Sequence, residues 1–201
     1  IPRRLDMGVT KSLVSFGTQN TMSGLVSYFH TNWDDWFIGR QFGQAQLGFY
    51  TRAYDLTNKT IGKLGTSVVS GVFFPSYAKM QDDLARLSRA YMKSLRLIML
   101  IMFPVALGIL AIPFDIVIVL LGPKWLPMIP TLQIYAFLVL TRPISENTAP
   151  LFKAMGKPNF NTRAGLLLVA VTLPLAYFLL GLEITGIAFA VVAGHVAGVL
   201  Y

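Results

Sequence analysis

The run Leu97–Leu121 constrains this chain more than any other feature, because Asp115 is the one charge in it. About 20 mostly apolar residues are enough to cross a bilayer as a helix. Two further runs near the end, Ala164–Leu182 and Ile184–Tyr201, carry no charged side chain unless His195 is protonated. The short turn at Gly181 and Glu183 folds these two into a tight helical hairpin. Pro104 and Pro113 lie inside the first run. Membrane helices tolerate proline because neighbours satisfy the freed carbonyls, but it should bend this one.

Composition extends the same reading. Hydrophobic residues make up 54% of the 201 and charged residues 13%, against roughly 25% charged in an ordinary soluble domain. A soluble fold of this length could bury a core but could not safely expose so much apolar surface. A cytosolic globular enzyme and a disordered chain are both excluded on this ground. The absence of cysteine removes disulfides, zinc–thiolate sites, iron–sulfur clusters and Cys nucleophiles. No Walker loop, dinucleotide fingerprint or Ser/His/Asp pattern is present, so no catalytic residue, metal or cofactor is assigned. The start at Ile1 and the stop at Tyr201 inside an apolar run read as a piece of a longer protein.

Three more spans are expected. Residues 125–155 are mainly apolar but contain Arg142 and Glu146. Residues 12–42 and 47–80 are more polar, yet each is long and apolar along one side, as helices lining a water-filled cavity would be. With 84–121, 160–182 and 184–201 this makes six membrane helices: an all-α, polytopic membrane protein. The charges test that count. Arg3, Arg4, Lys11, Lys79, Arg86, Arg89, Lys93, Arg96, Lys153, Lys157 and Arg163 fall on one side, and Lys124 alone falls in the opposite loops. Cytoplasmic loops carry the excess of Lys and Arg, which puts residue 1 on the cytoplasmic side. The net charge of +8 is then an orientation signal and not a nucleic-acid patch. Asp82 and Asp83 should start the helix at Leu84, whose first turns would project into the cytoplasm.

Charges within spans are costly and mark pathways. Arg52, Lys59 and Lys63 recur at seven and four residues, which places them on one face of an α-helix, and Asp55 lies four before Lys59. Such a cationic face suits a phosphate or diphosphate group; alternatively, Asp55, Asp34 and Asp35 neutralise it in a packed interior. Asp34, Asp35 and Arg40 sit among Trp33, Trp36 and Phe37, as an interfacial belt or as acids paired with Arg40 or Arg52. Arg142 and Glu146, four apart, read first as an intrahelical ion pair and second as a gate or substrate contact. His195 reads as packing before proton relay. The sequon Asn58-Lys59-Thr60 reads as chance.

Asn32-Trp33-Asp34-Asp35-Trp36-Phe37-Ile38-Gly39-Arg40, then Leu47-Gly48-Phe49-Tyr50-Thr51-Arg52-Ala53-Tyr54, follow in order. They resemble the polysaccharide-transporter branch of the multidrug/oligosaccharidyl-lipid/polysaccharide exporter superfamily, the O-antigen and exopolysaccharide flippases. Phe74-Pro75, Phe103-Pro104, Gly122-Pro123-Lys124-Trp125 and Ala154-Met155-Gly156-Lys157 extend the resemblance to residue 157. It implies one six-helix lobe of a two-lobed exporter, with the N-terminal lobe elsewhere in the same chain. The implied substrate is an oligosaccharide on a polyprenyl diphosphate, flipped across the cytoplasmic membrane among membrane lipids. A polysaccharide polymerase and glycosyltransferases are the further partners. Asp34, Arg40 and Arg52 match the pattern directly; Lys59 and Lys63 come from helical spacing. Asp35 stands where the family often has Asn. The rival readings are a cation-coupled multidrug exporter, which should favour acidic cavity residues, and a membrane-embedded glycosyltransferase or ligase, which needs a large outer loop. The leading reading is not an enzyme.

Overall fold

The computed structural model describes residues 32–61, 77, 80, 83–154 and 159–201. Every regular element among them is helical. Residues 32–41 form the described part of α1. Helix α2 is Gln44–Tyr54 and continues as a π-helix over Asp55–Ile61; α3 is Leu84–Ala111, α4 Pro113–Leu121, α5 Ile129–Ala154, α6 Asn159–Phe178 and α7 Glu183–Leu200. Short 3-10 turns occupy Pro123–Met128 and Leu180–Leu182.

Several boundaries differ from expectation for local reasons. The break between the expected spans 12–42 and 47–80 is confined to Phe42 and Gly43, so α2 begins at Gln44. Gly43 takes φ 86°, a left-handed conformation open to glycine, and that one residue reverses the chain. The expected helix 84–121 is two helices. The residue before a proline is pushed out of the α region, and Ile112, before Pro113, sits at φ −129°, ψ 48°. Pro104 is accommodated within α3. The expected helix 125–155 opens with the Pro123–Met128 turn, and 160–182 closes with the Leu180–Leu182 turn. At Leu84 the expectation holds: the Asp83 carboxylate accepts the Arg86 amide N–H at 2.9 Å as N-cap.

Helix α5 is the hub, touching α2, α3, α4, α6 and α7. Its Leu132, Tyr135, Ala136 and Leu138 are fully buried against Ile98, Met102 and Ile109 of α3 and Ile187 and Ala188 of α7. The α6–α7 hairpin is held by close backbone approach. A Cβ on Gly194 would collide with the Thr172 hydroxyl and lie 2.9 Å from the Leu168 carbonyl, the small-residue contact that membrane helices use. Two cross-contacts gather the turns at one end of the bundle. Gln46 Nε2 donates to Glu183 Oε2 at 3.3 Å, and the Phe49 and Trp125 rings meet edge-on at 5.9 Å. At the other end Tyr77 donates to Asn147 Oδ1 at 2.9 Å, and Asn147 Nδ2 to Ser94 Oγ at 2.9 Å.

Large apolar side chains also face outward: Leu100, Val119 and Phe178 are 72%, 80% and 80% exposed, a surface that calls for lipid or further protein against it. Among the described residues two helices are long and apolar enough to cross a membrane, Ala85–Ala111 and Leu180–Leu200; Arg163–Phe178 is apolar but shorter. Residues 12–31 and 62–76, with much of two expected spans, lie outside the described residues.

Candidate functional site

The polar side chains of the first half converge where α1, α2 and α5 meet. The turn at Gly43 brings α1 back beside α2. Buried Tyr50 then donates its hydroxyl to buried Asp34 at 2.6 Å. Tyr135 of α5, fully buried, stands edge-on to Tyr50 and to Tyr54, each with ring centroids 5.6 Å apart. Such tilted contacts set the positive edge of one ring against the face of the next. Three aromatic rings thus connect Asp34 to the level of Arg142.

Arg142 is the cation of this cluster. It lies about 20 Å along α5 from Ile129, at 1.5 Å per residue. Its Nη1 donates to Asn58 Oδ1 at 2.7 Å and its Nη2 to the Tyr54 hydroxyl at 2.8 Å. The guanidinium also lies over the Tyr54 ring, 5.4 Å from the centroid. The expected partner, Glu146, is present but long, at 3.9 Å from Arg142 Nε. Arg142 is therefore tied across to α2 more tightly than along its own helix. Asn58 is held for this by donating to the Tyr54 carbonyl at 3.2 Å.

The π-helix explains why Asn58 faces Arg142. A π-turn takes more residues than an α-turn and is frequent at functional sites. It also alters the expected stripe: seven residues no longer return to the same face, so Lys59 departs from the line of Arg52. Lys59 pairs with Asp55 at 2.7 Å, as the i, i+4 spacing predicts, and its side chain is 65% exposed. Lys63 lies outside the described residues. Arg40 lies over the Trp36 ring at 5.9 Å and Arg52 over the Trp125 ring at 5.6 Å, where Lys124 also sits at 5.5 Å. These cation–π contacts belong to the end of the bundle where the turns gather. Asp35, on α1 beside Asp34, is half-buried. The structure therefore brings together Asp34 and Arg142 through a tyrosine array. It sets Arg40 and Arg52 at the turn end and Lys59 at the exposed side of α2.

The array is what sequence reasoning missed. Tyr50 and Tyr54 are four apart on α2, a spacing that shares one face, and both fall within the motif already singled out. Asn58 stands out in the sequence only as the first residue of the sequon Asn58-Lys59-Thr60. Nothing in the sequence marks Tyr135. His195 lines a separate cavity of about 380 Å³ with Tyr91, Thr148, Phe152, Phe160 and Leu168. Among the described residues no three His, Asp or Glu side chains gather as metal ligands.

A family model described as "Polysaccharide biosynthesis protein" matches residues 2–130, which include α1 to α4 and the start of α5. The chain belongs to this family. The lipopolysaccharide biosynthesis protein WzxC of Escherichia coli K12 is 30% identical over 142 residues, 71% of this chain and 29% of that protein. A membrane protein encoded in the cps region of Klebsiella pneumoniae is 26% identical over 176 residues, 88% of this chain and 36% of that protein. The teichuronic acid biosynthesis protein TuaB of Bacillus subtilis is 26% identical over 166 residues, 82% and 34% of the respective chains. The chain spans about a third of the length of these relatives. No solved structure matches. The cps-region relative is named as a membrane protein, and the exposed apolar side chains of this chain agree with a membrane setting.

Proposed function

We propose that this chain is one lobe of a flippase that carries a polyprenyl-diphosphate-linked oligosaccharide across the cytoplasmic membrane. The single observation that carries the proposal is Arg142. It is a cation midway along α5 at the junction with α2, held by Tyr54 and Asn58 and only loosely neutralised by Glu146. A partly buried charge between helices is costly and marks a substrate path in a membrane protein, and a guanidinium fork suits a diphosphate. The relatives named for lipopolysaccharide and teichuronic acid biosynthesis support a polysaccharide substrate.

In this reading six helices, residue 1 on the cytoplasmic side, form the second of two lobes that rock about a midplane site. Asp34, Asp35, Arg40, Arg52, Lys59 and Lys63 are the further substrate contacts of this proposal, and Glu146 is the gate partner of Arg142. The sugar crosses through water while the prenyl tail stays in lipid. The N-terminal lobe completes the cavity, and glycosyltransferases and a polymerase work before and after it. The test is complementation of a strain lacking its flippase with the full-length protein. Arg142→Ala, or Lys59→Ala with Lys63→Ala, should cut surface polysaccharide at least tenfold and leave membrane insertion intact. Normal surface polysaccharide from Arg142→Ala would sink the reading.

One observation favours the cation-coupled alternative. Asp34 is buried, and a buried acid is what ion coupling uses. Asp34→Asn separates the two: loss of export drive with substrate binding retained points to coupling, and loss of binding points to the substrate site.

A further inference from the structure

The first half of α3 carries a charged face that the transport reading leaves unused. Arg86, Arg89, Lys93 and Arg96 recur at three, four and three residues and so share one side of the helix, where all four are exposed. Ser88, Arg89, Met92, Lys93, Arg96 and Leu97 line an open groove along it. The stripe cannot turn inward, because Leu87, Ser94, Ile98 and Met102 on the opposite side are buried against the bundle. Asp83, the described acid nearest in sequence, is engaged as the N-cap of α3.

The same stripe then changes character. Beyond Arg96 it continues as Leu100, Phe103 and Leu107, which are 72%, 54% and 49% exposed. Cationic becomes apolar within about one helical turn. A phospholipid has the matching order, a phosphate next to acyl chains. A soluble anion would use the arginines but not the apolar continuation.

We propose that Arg89, Lys93 and Arg96 seat the phosphate headgroup of an anionic phospholipid in the leaflet facing the start of α3, with its acyl chains along Leu100, Phe103 and Leu107. The two guanidinium forks hold the phosphate oxygens in pairs, and Lys93 adds a mobile third donor. This rests on α3 as a membrane span and does not depend on what the protein transports. In this proposal the first turns of α3 lie at the headgroup level.

The test uses the full-length protein in nanodiscs, with phosphatidylglycerol and phosphatidylcholine of identical acyl chains, read by native mass spectrometry of the retained lipids. Wild type should retain phosphatidylglycerol preferentially. Arg89→Gln with Lys93→Gln and Arg96→Gln should lower that preference about tenfold or more, given the attraction of each basic residue to anionic lipid. Arg89→Lys with Arg96→Lys should keep most of it. Should the triple variant fail to fold, Lys93→Gln alone should still show a loss of about threefold. An unchanged preference in a folded triple variant, or no preference in wild type, overturns the proposal. So does displacement of the lipid by inorganic phosphate at equal concentration, because the apolar half of the stripe would then contribute nothing.

Discussion

The α6–α7 hairpin and the α1–α2–α5 junction solve the same problem with different chemistry. Lipid removes most of the hydrophobic drive between helices, leaving packing and interhelical hydrogen bonds to hold them. The hairpin uses packing: Gly194 lets two backbones approach, and Thr172 satisfies its hydroxyl on the Leu168 carbonyl of its own helix at 2.7 Å. The junction uses hydrogen bonds between helices, from Tyr50 to Asp34 and from Arg142 to Asn58 and Tyr54. A close-packed pair has one good arrangement. A polar junction can exchange partners, and that is the property a moving substrate path needs.

The hairpin side of the comparison breaks most readily. Gly194→Leu puts a side chain into the Thr172 hydroxyl and the Leu168 carbonyl. Overpacking against backbone should cost about 3 kcal/mol or more, read as a lower melting temperature of the full-length protein in detergent. Gly108→Ala, where an added Cβ meets nothing within 4 Å, is the matched control and should melt as wild type does. Equal melting of the two would mean that close approach does not hold the hairpin. Next in size is Tyr50→Phe, which takes a hydroxyl from a buried carboxylate. Removing a hydrogen bond to a charged group should cost about 2 kcal/mol. Combining it with Asp34→Asn in a double-mutant cycle should recover much of that cost as coupling.

The two regions were also unequally legible in the sequence. The hairpin announced itself: two uncharged runs, a short turn and a helix rich in Gly and Ala state both the span and its packing. The start of α3 followed from Asp83, because a cap acts within a few residues, whereas Pro113 was expected only to bend the helix that it breaks at Ile112. At the junction the motifs drew attention to Asp34, Arg40 and Arg52, yet the contacts there join residues far apart in sequence. Tyr54 and Arg142 are 88 residues apart. An α-helical spacing rule also cannot foresee a π-helix, so Lys59 leaves the face that the spacing shares with Arg52. Hydropathy likewise discounts a helix that spends its polar groups on its neighbours, which is why α2 was harder to assign than α7.

Within the junction the contacts should rank by burial. Tyr54→Phe removes one of the two hydrogen bonds to the Arg142 guanidinium and keeps the ring beneath it. A loss of about 1 kcal/mol is expected, again from the melting temperature. Its effect on export should exceed its effect on stability if Arg142 meets substrate, whereas a proportionate loss of both would make Arg142 a strut.

Lys59→Gln should have the smallest effect on stability. Its 2.7 Å pair with Asp55 is short, but the ammonium is exposed and both partners sit on one helix turn. Exposed i, i+4 pairs contribute little because water screens them and holding two side chains costs entropy. The melting temperature should therefore stay within error of wild type. Export is the sharper measurement: a fall with unchanged melting would put Lys59 in the substrate path with Arg142. Export unchanged as well would confine the path to the tyrosine side of α2, so that the comparison between hairpin and junction narrows to Asp34, the three tyrosines and Arg142.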